Sequence, residues 1–309
     1  MEYSIYTFKD IERIPELTSL FKTGLGDTSV DHWKWRLFTP NGCEDVPFAV
    51  VAEDENGCLA GVSTAIPVYY GPERKKCILF GDWVVHPQHR GQGLIRKIFD
   101  EICAYADDNG YEFMITFPNQ NSYPILKKYG FIDLKGLSCW NTRNKLFFQK
   151  NRKASEHKFK DVVYRYSNRC PDIDIFVGNE GRIYKNNKFL EWKYDLNPDE
   201  KYTWLSLWKD GSCTGYFVYL LTKGRLRTAV NVYDWEFFGD NVEYFKHAVK
   251  MLQKEGNFVS FWGRYPINTQ KIMQDAGLKD RHADIVCIVK PIGNGSVPEL
   301  ILTRIDTDY

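Results

Sequence analysis

Residues 82 to 96 read Asp82-Trp83-Val84-Val85-His86-Pro87-Gln88-His89-Arg90-Gly91-Gln92-Gly93-Leu94-Ile95-Arg96. An apolar strand turns at a proline, passes through two glycines and enters a helix, and this succession constrains the fold more than any other feature of the chain. Gly91 and Gly93 carry no Cβ, so several backbone N–H groups converge there, and the helix behind them adds the positive end of its dipole. The stretch predicts a cradle for pyrophosphate and an anionic cofactor to fill it.

Two common cofactors are disfavoured by what the loop lacks. A nucleoside triphosphate loop needs Gly-Lys followed by Ser or Thr, whereas Gly93 is followed by Leu94 and Ile95. A dinucleotide fingerprint needs a third small residue where Arg96 stands. Further on come Pro118-Asn119-Gln120-Asn121-Ser122, then Leu126, then Tyr129-Gly130-Phe131. Between the two motifs, Leu94, Ile95, Ile98, Phe99, Ile102 and Tyr105 form a helical stripe that ends at Asn109-Gly110. Tyr111 to Phe117 is rich in strand formers. The pattern Val-x-Pro-x-x-Arg-x-x-Gly, followed by the Asn and Gly-Phe landmarks, resembles motifs A and B of the GNAT superfamily of acyl-CoA N-acyltransferases.

The two halves of the chain share further landmarks. Trp33-Lys34-Trp35-Arg36, ending at Pro40, has a counterpart in Glu191-Trp192-Lys193-Tyr194, ending at Pro198. The turn at Asn56-Gly57 that leads to Gly61 matches Asp210-Gly211 leading to Gly215, each in a hairpin. The helix after Gly93 is echoed by Val242 to Glu255, the following strand by Phe258 to Trp262, and Pro118 with Gly130-Phe131 by Pro266 with Gly277-Leu278. This is duplication. The phosphate turn has no second copy: after the equivalent strand, Thr228 to Trp235, comes Glu236-Phe237-Phe238-Gly239-Asp240-Asn241, whose carboxylates would repel phosphate. The expected fold is α/β (α+β), with two tandem GNAT-like domains, each a mixed, mostly antiparallel sheet flanked by helices. Residues 1–149 form the domain with the acyl-CoA site. Residues 150–309, after a linker near Lys150 to Lys158, form a degenerate domain that walls the acceptor pocket or supports the first.

Composition limits the partners. Lys plus Arg (41) nearly equal Asp plus Glu (40), so no basic field draws in nucleic acid or an acidic membrane surface. No apolar run is long enough for a membrane span, and the amino terminus lacks a signal peptide pattern, so a cytoplasmic protein is expected. The eight cysteines show no metal-ligand spacing, and neither a metal nor a disulfide framework is expected. An internal pseudo-dimer of this kind leads to the expectation of a monomer.

The resemblance implies acetyl-CoA or another short acyl-CoA as cosubstrate, lying along Trp83, Val84 and Val85. The Val85 N–H would face the thioester oxygen. Amides of Gly91, Gln92, Gly93, Leu94, Ile95 and Arg96 would take the pyrophosphate, Arg90 would brace the turn or touch phosphate, and Asn119 with Ser122 would meet the pantetheine side. Direct transfer to an amine needs a proton acceptor. Asp82 precedes the cofactor strand and is the first candidate; it also suits a cap or salt bridge at the strand's edge. If no bulge intervenes, His86 alternates onto the same face as Asp82 and Val84 and is the second, or else a surface or packing residue. Two positions depart from the family pattern. Ile95 stands where Gly or Ala is usual, and Leu126 replaces the tyrosine that often serves as general acid. Tyr123 and Tyr129, one turn to either side, are the substitutes, and either also suits the core. The two-copy plan resembles N-acyltransferases of nucleotide-linked amino sugars, with Trp192, Tyr194, Tyr233, Trp235 and Arg264 as the acceptor cleft. An aminoglycoside, polyamine or peptide amine, or a non-catalytic acyl-CoA binder, are the alternatives.

Overall fold

The computed structural model describes residues 2–143, 155–173, 181–237, 242–282 and 285–304. The first half runs β1 (Tyr3–Phe8), α1 (Ile14–Leu25), α2 (Val30–Phe38), β2 (Phe48–Asp54), β3 (Leu59–Tyr70), β4 (Lys75–Val85), α3 (Leu94–Asp108), β5 (Phe113–Thr116), α4 (Tyr123–Lys128), β6 (Ile132–Leu134) and β7 (Ser138–Thr142). The second runs β8 (Glu156–Phe159), β9 (Val162–Ser167), α5 (Asn187–Leu190), β10 (Thr203–Lys209), β11 (Ser212–Lys223), β12 (Thr228–Phe237), α6 (Val242–Leu252), β13 (Phe258–Arg264), α7 (Ile267–Asp275), β14 (Leu278–His282), β15 (Cys287–Pro291) and β16 (Leu302–Thr303). A wide π turn over Glu191–Asp195 extends α5.

The described strands form two sheets, ordered β1-β2-β3-β4-β5-β15-β6 and β14-β7-β13-β12-β11-β10-β9-β8. Stripped of β7, β8 and β15 the two orders are the same, and this repeated plan is that of two GNAT-like domains. The exceptions are reciprocal. β15, from the second half, lies antiparallel between β5 and β6 of the first sheet, pairing Val289 with both Ile115 and Ile132. β7, from the first half, lies between β13 and β14 of the second, pairing Trp140 with both Phe261 and Asp280. Each half thus lends one strand to the other. The expected division near residue 150 falls within residues 144–154, outside the described residues, as does the early part of the expected linker. Its end, Glu156 to Lys158, belongs to β8.

Helix α3 shows why the motif folds as it does. Gly93 caps it with φ 69° and ψ 17°, a left-handed conformation that glycine adopts at little cost. Leu94, Ile98, Phe99, Ile102 and Ala106 are buried. Between the sheets, Ile66, Leu79 and Ile115 share a core with Trp192, Trp204, Val218 and Leu300. At its centre Trp35 and Trp192 stack with ring centroids 5.2 Å apart. Each indole N–H donates to the other's backbone carbonyl, Trp35 to Trp192 at 2.6 Å and Trp192 to Trp35 at 3.3 Å. The matched tryptophans of the sequence are therefore a symmetric clasp across the domain junction. No helix among the described residues is long and apolar enough to cross a membrane.

Trp192→Ala is expected to cost about 3 to 5 kcal/mol of stability. Urea unfolding followed by circular dichroism and fluorescence should still give one transition because the exchanged strands couple the halves; two separate transitions would refute that coupling.

Candidate active site

The first sheet opens along β4. β4 and β5 pair in parallel only at Cys77 with Phe113, Ile78 with Met114 and Leu79 with Ile115. Beyond that the chain after β5 leaves the sheet through Pro118, and Asn119 turns it, its Oδ1 accepting from the N–H of Asn121 at 2.9 Å and of Ser122 at 3.0 Å. On the other side, β4 carries a bulge: Val62 pairs with Val84 and Thr64 with Gly81, so Asp82 and Trp83 together face Ser63. Asp82 has φ 46°, a left-handed conformation that aspartate tolerates better than most residues. The parting strands enclose a cavity of about 230 Å³, lined by Gly24, Leu25, Asp82, Trp83, Asn119 and Leu126 among others.

Backbone direction decides which amides are available. The His86 N–H donates to Ala60 O at 2.9 Å. Amides alternate along an antiparallel pair, so the Val85 N–H points to the opposite edge, which β5 has left open. In the turn that follows, no acceptor among the described residues meets the amides of Gly91, Gln92, Gly93, Leu94 or Ile95; those of Arg96 and Lys97 donate to Gly93 O. Gly91 and Gly93 have φ 81° and 69°. This is a row of unpaired donors at a helix start, suited to a diphosphate. His86 and Arg90 act on the turn itself. His86 Nδ1 accepts from the Gln88 N–H at 3.4 Å, and Arg90 Nε reaches Val85 O at 3.4 Å.

Asp82 is held from behind. Its Oδ2 accepts from Arg36 Nε at 2.8 Å, from a second Arg36 nitrogen, and from the Thr64 hydroxyl at 2.8 Å. The Arg36 side chain is only 1% exposed and that of Asp82 11%, so this is a nearly buried ion pair at the cavity's edge. One helical turn before Arg36, His32 pairs through Nδ1 with Asp199 of the second half at 2.5 Å. Burial holds the His32 imidazole below its ordinary range against the pull of Asp199. Sequence reasoning missed Arg36, Thr64 and His32. The signal was present in the matched Trp-Lys-Trp-Arg landmark, which ends on a charge in an otherwise apolar surrounding.

The tyrosines expected near the acid position face elsewhere. The Tyr123 hydroxyl donates to Asp133 Oδ1 at 2.8 Å, a bond that raises its pKa. Tyr129 stacks on Phe99 at 4.8 Å. Leu126 lines the cavity, and Thr116 and Ser122 are the hydroxyl residues beside it. The expected acceptor residues divide. Trp192, Tyr194 and Trp235 are buried in the cores, whereas Tyr233 is partly buried under the Arg304 guanidinium, 4.7 Å from the ring centre. Arg264 lines a separate, larger pocket between the two halves. The structure does not gather these five into one cleft.

Residues 9–132 match the family model of the acetyltransferase (GNAT) domain. No curated protein matches the chain in sequence. Among solved structures, an Enterococcus faecalis protein described as a probable N-acyltransferase superposes with a TM-score of 0.67 at 11% identity, over 94% of this chain and 73% of its own. A tandem GNAT protein from the clavulanic acid biosynthesis pathway gives 0.51 at 11%, over 96% and 100%. A glucosamine N-acetyltransferase region of a fungal multi-domain β-N-acetylglucosaminidase gives 0.53 at 11%, over 93% and 38%. These likenesses are of fold. Residues 9–132 thus match an acetyltransferase (GNAT) domain by sequence, and the described fold as a whole is shared with tandem and probable N-acyltransferases.

Arg36→Met leaves Asp82 without its cation and is expected to cost about 3 kcal/mol or more in urea unfolding. His32 titrates the other way from a stabilised cation. Its pKa is lower folded than unfolded, so its contribution is complete above about pH 6.5 and is lost as the pH falls below that. His32→Gln should flatten the acid limb of the stability profile, and an unchanged limb would show that His32 does not shape it.

Proposed function

We propose that the chain transfers an acetyl or other short acyl group from acyl-CoA to the primary amine of a small molecule, a nucleotide-linked amino sugar, by direct attack in a ternary complex. The observation that carries this reading is the open edge of β4 beside the row of unpaired amides at residues 91 to 95. Acyl-CoA supplies the activated thioester. The amide row suits its diphosphate, and the parting of β4 and β5 suits its arm, with Asn119 and Ser122 on the far side. The Val85 N–H stabilises negative charge as it grows on the carbonyl oxygen. A cavity of about 230 Å³ favours a short acyl group over a long chain.

Asp82 is the carboxylate among the described lining residues of that cavity. Arg36 and Thr64 fix its Oδ2, which orients the group toward an incoming ammonium and lets it take the proton directly or through water. The thiolate leaves without a tyrosine acid, as its modest basicity permits. The fungal glucosamine N-acetyltransferase region among the structural neighbours supports an amino-sugar acceptor. We infer further that the protein is a monomer, in which the second half replaces a partner subunit, and that it works in the cytoplasm.

Thiol release from acetyl-CoA should be measured with nucleotide-linked amino sugars, aminoglycosides and polyamines. Release with an amino sugar alone is the expected result. Asp82→Asn should lower kcat by about 10²- to 10⁴-fold, the range for loss of a general base, while acetyl-CoA still raises the melting temperature. Unchanged turnover would remove Asp82 from the mechanism, and no thermal shift with any acyl-CoA would overturn the cofactor site.

A further inference from the structure

Near Asp82, α2 meets the second half through a pair of titratable groups. His32 stands in the first turn of α2, one turn before Arg36, and its Nδ1 donates to Asp199 Oδ2 at 2.5 Å. Both partners are placed by the junction. The indoles of Trp33 and Trp35 meet the imidazole edge to face, with ring centres 4.7 and 5.6 Å away, and Trp35 is the residue clasped to Trp192. Asp199 follows the π turn that carries Trp192, in a bend where Asn197 Oδ1 accepts from the N–H of Asp199 at 2.9 Å and of Glu200 at 3.2 Å. The contact that joins the halves therefore also sets a carboxylate from one against an imidazole from the other.

The pairing fixes the tautomer. A carboxylate only accepts, so the neutral ring carries its proton on Nδ1 and its lone pair on Nε2. No hydrogen-bond partner among the described residues meets that Nε2, and the side chain is 20% exposed, enough for water to reach it. The charged groups that act on the ring are Asp199 of the second half, Arg36 further along α2 and Asp82 on β4. Burial outweighs the two carboxylates and holds the imidazole below its ordinary range, so it is neutral at pH 7. An imidazole of this kind supplies what a carboxylate lacks. An alkylammonium keeps its proton far more firmly than a carboxylic acid does, whereas imidazole is a base matched to neutral pH.

We propose, on the acyl-transfer reading of the Asp82 cavity, that His32 and Asp199 form a proton-accepting dyad built from both halves, to which the proton of the acceptor amine passes from Asp82 through water. The acceptor ammonium gives up one proton, which moves by way of Asp82 to His32 Nε2, and the resulting imidazolium is paired with Asp199. The lone pair freed on nitrogen forms the C–N bond to the thioester carbonyl carbon. The C–S bond then breaks with its electrons on sulfur, and the thiolate takes the second proton from nitrogen as the amide forms. His32 returns its proton to water once the product has left. The second half thus contributes a working group, Asp199, to a site whose other residues come from the first.

The first test needs no acceptor. In protein labelled with ¹⁵N-histidine at neutral pH, the Nε2 of His32, assigned with His32→Gln, should resonate as an unprotonated ring nitrogen. Asp199→Asn should move the proton onto Nε2, because the new amide can donate to Nδ1. The second test is thiol release from acetyl-CoA across pH, with the nucleotide-linked amino sugars, aminoglycosides and polyamines. Wild-type kcat should fall as the pH drops through a value below about 6.5, the ordinary imidazole range. His32→Gln and Asp199→Asn should each lower kcat about 10²-fold and lose this limb, with KM for acetyl-CoA unchanged, and Asp199→Glu should restore most of the rate. A protonated Nε2 in the wild type, or variants that keep the wild-type limb whatever their rate, would overturn the dyad while leaving acyl transfer and Asp82 in place. No release by the wild type with any of the amines would overturn the acyl-transfer reading, and the dyad with it.

Discussion

Backbone hydrogen bonds along β7 and β15 hold the molecule together in a way that side-chain packing alone would not. A strand between two neighbours satisfies its N–H and C=O groups on both edges, and withdrawing it would strand those groups in both flanking strands. β15 closes the sheet that carries Asp82 and the row of unpaired amides, and β7 closes the sheet of the second half. The clasp of Trp35 and Trp192 then sits between two sheets that are already committed to each other. The geometry of β4 depends on this frame, because the parting of β4 from β5 persists only while β5 is anchored on its far side by β15.

Within that frame the two halves treat the same position differently. Gly81-Asp82-Trp83 of β4 and Tyr233-Asp234-Trp235 of β12 both stand where the strand is bulged. Asp82 pairs with Arg36 and remains at the lip of a cavity. Asp234 is fully buried, bound by Lys185 at 2.6 Å and by the Tyr216 hydroxyl at 2.9 Å. Glu236 adds a second carboxylate next to it, bonded to Arg182. A carboxylate at the lip of a cavity in one half is matched by an internal ionic cluster in the other. Buried charges of this kind are tolerated when each finds a partner, and they lend specificity rather than net stability.

Much of the first site was legible in the sequence. The turn at Gly91 and Gly93 and helix α3 each rest on local rules, in which glycine φ and a 3.6-residue stripe are decided within a few residues. The duplication was legible too, because its landmarks recur in order. What could not be read were the long-range choices. Strand exchange leaves each strand's own pattern unchanged, so nothing in Ser138–Thr142 or Cys287–Pro291 announces which sheet it joins. Arg36 meets Asp82 across 46 residues, the burial of Trp192 and Tyr194 is a matter of packing between halves, and that of Trp235 of packing against Phe217, Phe245 and Phe261 within the second. Aromatic residues that could stack a sugar and those that fill a core are the same residues until their neighbours are known.

The exchange also sets an order of events during synthesis. The first sheet lacks a strand between β5 and β6 until Pro291 has been made, long after its other strands have left the ribosome. At about 5 to 20 residues per second, that interval is roughly ten to thirty seconds. Throughout it, β5 and β6 carry open edges of the kind that invite pairing with other chains. The turn at Gly91 and Gly93 is complete in local terms early, but its sheet closes late, so the nascent chain has a period of exposure in which chaperones would matter most.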